Sequence, residues 1–190
     1  AEEALRELRS EVEQVMLFGH SMGGLVALTL AADHGEVIDS LVVAAAAVQL
    51  ASPLAPGRPL HFLAPLVVRL LDKFDMPPVY ADPALAEYDT NYPWAPSDAV
   101  LSLLDFIKHT RRRLPEVEVP TLILQSRSDS TVAPESAEII YQRISTPPGQ
   151  KRIIWFEKTE HEMFRDCERD AAIAAVIEWV RERRNRGQPS

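Results

Sequence analysis

A chain of 190 residues with 46% hydrophobic and 25% charged side chains has the size and composition of one globular domain. That excludes a disordered chain, a collagen and a small disulfide scaffold. The formal net charge of −8 disfavours a surface for nucleic-acid phosphates, and no apolar run reaches the roughly 18 residues of a membrane span. The single Cys167 cannot close an internal disulfide, which fits a reducing, cytoplasmic compartment. The acidic start, Ala1-Glu2-Glu3-Ala4, lacks the apolar stretch of a signal peptide.

In chain order, Leu5, Leu8 and Val12 recur at helical spacing among charges and predict an amphipathic helix. Val15 to Phe18 reads as a short buried strand, Leu25 to Ala32 as a helix stopped by Gly35, and Leu41 to Ala44 as a second strand. The stretch 49–97 interrupts this alternation, holding nine of the 15 prolines and the aromatics Phe62, Phe74, Tyr80, Tyr88, Tyr92 and Trp94. Within it, Leu60 to Leu71 is apolar on nearly every side, so it is either buried on several faces or a lid over something greasy. A proline-rich connector packed on its own domain is the other reading. Ser97 then stands as an N-cap for a helix with Val100, Leu103, Leu104 and Ile107 on one face. Val119 to Gln125 predicts a third strand, Ser136 to Ile144 a helix, and Ile153 to Phe156 a fourth strand. A final helix carries Ile173, Val176, Ile177 and Val180, with Asp166, Glu168 and Asp170 at its start and Arg181, Arg183 and Arg184 at its end. Continuous apolar strands alternating with helices predict an α/β fold whose parallel sheet is covered on both faces.

The stretch Gly19-His20-Ser21-Met22-Gly23-Gly24 falls at the first strand-to-helix junction. Gly-x-Ser-x-Gly in that setting is a nucleophile elbow, a tight turn that thrusts the serine hydroxyl outward. Gly19 and Gly23 are expected where a Cβ would strike the neighbouring strand and helix. The N–H of Met22, at the start of the helix, is expected to face a developing oxyanion. A serine needs a base, and His161 follows the fourth strand in Glu157-Lys158-Thr159-Glu160-His161. His34, His61 and His109 sit at helix ends or in the insertion, and His20 is expected to point away from the reaction. Asp129, after the third strand, is the orienting carboxylate, with Glu135 and Glu157 as runners-up. The order Ser, Asp, His is that of the α/β-hydrolase arrangement.

On these motifs the chain resembles the α/β-hydrolase family, close to its carboxylesterase and monoacylglycerol lipase branch. The resemblance rests on Gly19 to Gly24, on Val119-Pro120-Thr121-Leu122-Ile123-Leu124 leading to Asp129, and on Thr159-Glu160-His161. It implies a hydrolase core over 1–48 and 98–190 with a helical cap over 49–97. It further implies hydrolysis of carboxylic esters through an acyl-enzyme, without metal or cofactor, and a small-molecule ester or lipid as partner. His20, Phe62, Leu66 and Trp94 become candidate substrate contacts. Family members carry earlier strands and a His-Gly loop that supplies a second oxyanion N–H. With the elbow serine at position 21, the expectation is a chain corresponding to the carboxyl-terminal three quarters of such a hydrolase, with the first strand bare on one side.

Three other functions fit the same residues. An acyltransferase would use the same triad and exclude water. A thioesterase would take a thioester of CoA or a carrier, for whose phosphates Arg111-Arg112-Arg113 is the nearest basic group. Dipole capping at a helix end is the competing reading of those arginines. The third is a non-catalytic binding module on a hydrolase scaffold. Cys167 is expected to be an inert helix residue, because no histidine is arranged to activate it.

Overall fold

Helix α1 (Glu2–Glu11) leads into β1 (Met16–His20), α2 (Met22–Asp33) and β2 (Ser40–Ala44). The interrupting stretch holds α3 (Ala64–Leu70) and the short strands β3 (Lys73–Asp75) and β4 (Trp94–Pro96). Then follow α4 (Ser97–Arg113), β5 (Thr121–Ser126), α5 (Glu135–Arg143), β6 (Lys151–Phe156) and α6 (Arg169–Arg186). This computed structural model describes residues 1–186.

The main sheet has the order β1-β2-β5-β6, all parallel, while β3 and β4 form a separate antiparallel pair. Strand side chains alternate between faces, and the core divides accordingly. Leu41, Val43 and Ile123 pack with Leu25, Leu28, Leu104, Ile107, Ala137 and Ile140, which puts α2, α4 and α5 on one face. Val42, Ala44, Leu122 and Leu124 pack with Ala172, Ala175 and Trp179 of α6 on the other. β2 and β5 are buried at every residue, the expected reason for their unbroken apolar sequence. β1 lies at the sheet edge with Phe18 51% exposed. No helix among the described residues is long and apolar enough to cross a membrane.

The structure departs from the sequence expectations at several places. Of the α6 stripe, Val176 packs partly buried against the core, but Ile173, Ile177 and Val180 are exposed, and Ala172, Ala175 and Trp179 are buried instead. Both stripes have helical spacing. The small alanines let α6 approach the sheet closely, and Trp179 gains the guanidinium of Arg183, 4.2 Å from its ring. Only Leu5 of the predicted α1 face is buried; Leu8 and Val12 are exposed. Ser97 does not cap its own helix, whose N-cap is Pro96. Its hydroxyl donates to the Leu71 carbonyl and so ties α4 to the end of α3. Asp166 and Glu168 precede α6 rather than opening it, and Cys167 between them is exposed and outside the helix.

Candidate active site

β1, β5 and β6 all end at the same, carboxyl edge of the sheet, where open α/β sheets place their ligands. Each end carries one of the expected residues. Ser21 follows β1 directly and has φ 53 and ψ −119, left-handed backbone that few non-glycine residues adopt. It is locked there by its neighbours. The Ser21 N–H donates to the Ala44 carbonyl at 3.0 Å, and its own carbonyl accepts from Gly24 at 3.0 Å and Ala47 at 3.1 Å. A Cβ on Gly19 would run into the Gly23 carbonyl, 2.6 Å from its carbon, and one on Gly24 would lie 2.5 Å from the Ala46 Cβ. Gly23, by contrast, has nothing within 4 Å of a Cβ position. The close approach is therefore made at Gly19 and Gly24, which corrects the expected role of Gly23.

His161 bridges Ser21 and Asp129. Its Nδ1 lies 3.0 Å from Asp129 Oδ2 and its Nε2 lies 2.9 Å from Ser21 Oγ. With Nδ1–H donating to the carboxylate, Nε2 is left as the acceptor for the serine hydroxyl. The Asp129 side chain is fully buried. Its Oδ1 accepts from the N–H groups of Thr131 at 2.9 Å and Val132 at 2.8 Å, and Oδ2 also accepts from Gln125 Nε2 at 3.3 Å. Donors thus fix the carboxylate on every side. The runners-up are engaged elsewhere: Glu135 with Arg58 and Glu157 with Arg127. Met22 opens α2, so its N–H belongs to the first turn, where no intrahelical acceptor exists.

His20 lies against this group rather than away from it. Its Nε2–H donates to the His161 carbonyl at 2.9 Å, and the two rings sit 4.9 Å apart. Burial, then the neighbouring His161, pushes the His20 imidazole below its ordinary value, against smaller opposing effects of that carbonyl, Glu162 and Asp129. A neutral His20 with its proton on Nε2 results, anchoring the loop that carries the candidate base.

Carboxylates anchor the rest of that loop. Asp166 accepts from the N–H groups of Glu160 at 2.7 Å, Cys167 at 2.8 Å, Ala81 at 2.9 Å and Asp82 at 3.3 Å. Burial pushes its carboxyl up, but these N–H donors together outweigh burial and hold it below its ordinary value. Glu168 accepts from Lys158 and Thr159, both at 2.8 Å, and is lowered by the same balance. Glu160 reaches Ser130, taking its N–H and hydroxyl at 2.9 Å each. These three acids were not singled out in the sequence as site residues. Their partners lie up to 85 positions away, and no local pattern announces such bonds.

Among the expected substrate contacts, only His20 joins the cluster. Phe62, Leu66 and Trp94 are 73%, 56% and 42% exposed. His20, His161 and Glu162 place one potential ligand atom each within 4.8 Å of one another. A metal ion there would take one ring nitrogen of His161 and so displace its bond either to Ser21 or to Asp129.

Comparison with known proteins gives the family and the fold. The sequence model of the family described as serine aminopeptidase, S33, matches residues 2–168. A carboxylesterase of Bacillus subtilis (strain 168) is 32% identical over 85 residues, covering 45% of this chain and 34% of that protein. A thermostable monoacylglycerol lipase of Bacillus sp. (strain H-257) is 26% identical over 180 residues, covering 94% of this chain and 67% of the relative. A solved structure of a metagenome-derived lipolytic enzyme superposes with a TM-score of 0.79 at 24% identity, over 95% of this chain and 70% of that one. This last likeness establishes the shared α/β-hydrolase fold. The chain thus spans about a third of one curated relative and two thirds of the other.

Proposed function

The chain belongs to the serine aminopeptidase, S33, family of hydrolases, and from that premise we propose that it cleaves carboxylic esters with an apolar acyl chain through an acyl-enzyme on Ser21. The single observation that carries this reading is the continuous relay from Ser21 Oγ through His161 to Asp129, at 2.9 and 3.0 Å. In the first step Ser21 Oγ attacks the ester carbonyl while His161 Nε2 takes its proton. The buried Asp129 holds the imidazole in the tautomer that can accept it, and stabilises the imidazolium that forms. The Met22 N–H, at the positive end of α2, donates to the oxyanion. His161 then protonates the departing alcohol, and water repeats the sequence on the acyl-serine. The esterase and lipase names of the relatives favour an ester over a peptide bond as the target.

In this reading residues 49–97 form the cap over the acyl site, and 1–48 with 98–186 form the core; residues 187–190 of the expected core lie outside the described residues. The exposed Phe62, Leu66 and Leu70 give the cap a surface suited to a greasy substrate. The free thiol of Cys167 suits a reducing, cytoplasmic setting. The test is a series of p-nitrophenyl and monoacylglycerol esters of increasing acyl length, run with the chain and its Ser21→Ala variant. Hydrolysis is expected to fall by about three orders of magnitude or more in the variant. Unchanged hydrolysis would remove Ser21 from the chemistry. Product analysis with an added alcohol distinguishes hydrolysis from acyl transfer, and a matched thioester distinguishes a thioesterase.

A further inference from the structure

Positive charge collects in a notch outside the Ser21 cluster. Near its end, α4 presents Lys108, Arg111 and Arg112 at i, i+3 and i+4, one helical face. Arg143, the last residue of α5, lines the same notch, and Pro56 and Gly57 complete it. The notch is open to solvent and offers about 290 Å³, room for a phosphate group with bound water, and no carboxylate is among its lining residues. On a chain of net charge −8, four converging cations need a reason.

Arg111 is held in place by neutral groups. Its Nη1 donates to Gln49 Oε1 at 2.8 Å and to the Pro56 carbonyl at 3.2 Å. Gln49 is itself buried, with its backbone N–H on Ser136 Oγ at 3.3 Å. These acceptors orient the guanidinium without cancelling its charge. Burial, then the charge of Arg143, pushes Arg111 below its ordinary value, as befits a cation without an anion. The adjacent Arg113 shows the alternative. It reaches Asp33 at 2.7 Å and Glu116 at 2.6 Å, and the Glu116 bond, then the Asp33 bond, pushes it up. Lys108 has one acid, Asp105, at 3.1 Å, but that carboxylate is 78% exposed and screened by water. Dipole capping explains cations in a last helical turn. It does not explain a guanidinium turned onto Gln49 and Pro56, or a second helix bringing Arg143 to the same notch.

We propose that this notch binds the phosphate group of an anionic ligand, with Arg111, Arg112 and Arg143 as donors and Lys108 at the rim. The guanidinium fork matches phosphate oxygens in pairs, and Arg111 enters the bond already oriented. The phosphate can belong to a soluble phosphate ester or to a lipid headgroup, and the two sources are separable. The site is distinct from the Ser21 cluster and stands independently of ester hydrolysis.

The chain is titrated calorimetrically with inorganic pyrophosphate. In a parallel arm it is co-sedimented with phosphatidylcholine vesicles with and without phosphatidylglycerol. Arg112→Ala/Arg143→Ala is the main variant, since neither side chain makes a hydrogen bond among the described residues, and the denaturation midpoint verifies that it is folded. Arg112→Lys/Arg143→Lys keeps the charge. Pyrophosphate binding that weakens with salt, and by about tenfold or more in the alanine variant, supports the site and a soluble ligand. Binding to phosphatidylglycerol vesicles alone, lost in the same variant and largely retained in the lysine variant, supports it with a lipid headgroup. Absence of binding in both arms, or equal binding by the alanine variant, overturns the proposal.

Discussion

Replacing each elbow glycine by alanine separates sterics from motif. At Gly19 the new Cβ would sit 2.6 Å from the Gly23 carbonyl carbon and 2.8 Å from the Gly24 Cα. Carbon atoms pack best at about 3.5–4.0 Å, so the first turn of α2 must withdraw by roughly 1 Å. Such overpacking costs about 1–3 kcal/mol. The withdrawal also acts on Ser21, which joins β1 to α2, and a shift of about 1 Å in a reacting group lowers turnover by roughly 10²-fold. Gly24→Ala meets Ala46 at 2.5 Å and should behave similarly. Gly23→Ala meets nothing within 4 Å, and exchanging glycine for alanine in a helix gains up to about 1 kcal/mol. The assay is urea unfolding alongside ester hydrolysis for the three variants. Gly19→Ala and Gly24→Ala should lose stability and activity together, and Gly23→Ala should keep both. Equal damage at Gly23, or none at Gly19, would refute the steric account of the elbow.

Other expectations concern the groups around His161. His20→Ala removes the donor to the His161 carbonyl and should lower kcat by about tenfold or more with KM little changed; His20→Gln, which can restore an N–H donor, should recover part of that, and an unaffected kcat would deny the anchoring role. Asp166→Asn replaces a carboxylate surrounded by four N–H donors with a group that has one acceptor oxygen, so unfolding midpoints should report a loss of roughly 1–3 kcal/mol. Acid should destabilise the fold in two stages. His20 is lowered in the fold, so its neutral form contributes fully above its unfolded value of about 6.5 and the contribution fades as pH falls towards the folded value. Asp166 and Glu168 are also lowered, so theirs is present above roughly pH 4 and lost as pH falls through the folded values. Urea titrations from neutral pH downward, with His20→Gln and Asp166→Asn as references, should assign one stage to each.

The sheet was legible because β2 and β5 are buried on both faces, which leaves continuous apolar runs. Ser21, Asp129 and His161 were legible because each stands just past a strand, in an order that one fold uses. Long-range geometry was not. Two stripes on α6 share one period, and only packing against the sheet chose Ala172, Ala175 and Trp179 over the larger Ile173 and Ile177. Asp166 and Glu168 looked like dipole partners for a helix, yet their carboxylates face loop N–H groups. The run Arg111 to Arg113 reads in sequence first as dipole capping, yet at about 100° per residue Arg113 lies roughly 200° around the helix from Arg111. Arg113 accordingly meets acids while Arg111 and Arg112 line the notch. His20 depended on where the β6 loop returns, which no residue beside it in sequence determines.

In the proposed reaction Ser21 is a nucleophile activated by His161. The most direct test is reaction of the chain with a serine-directed fluorophosphonate, followed by mapping of the adduct by mass spectrometry. A single adduct at Ser21 is expected, absent from Ser21→Ala and strongly slowed in His161→Ala. A folded chain that remains unlabelled, or one labelled at another serine, would contradict it.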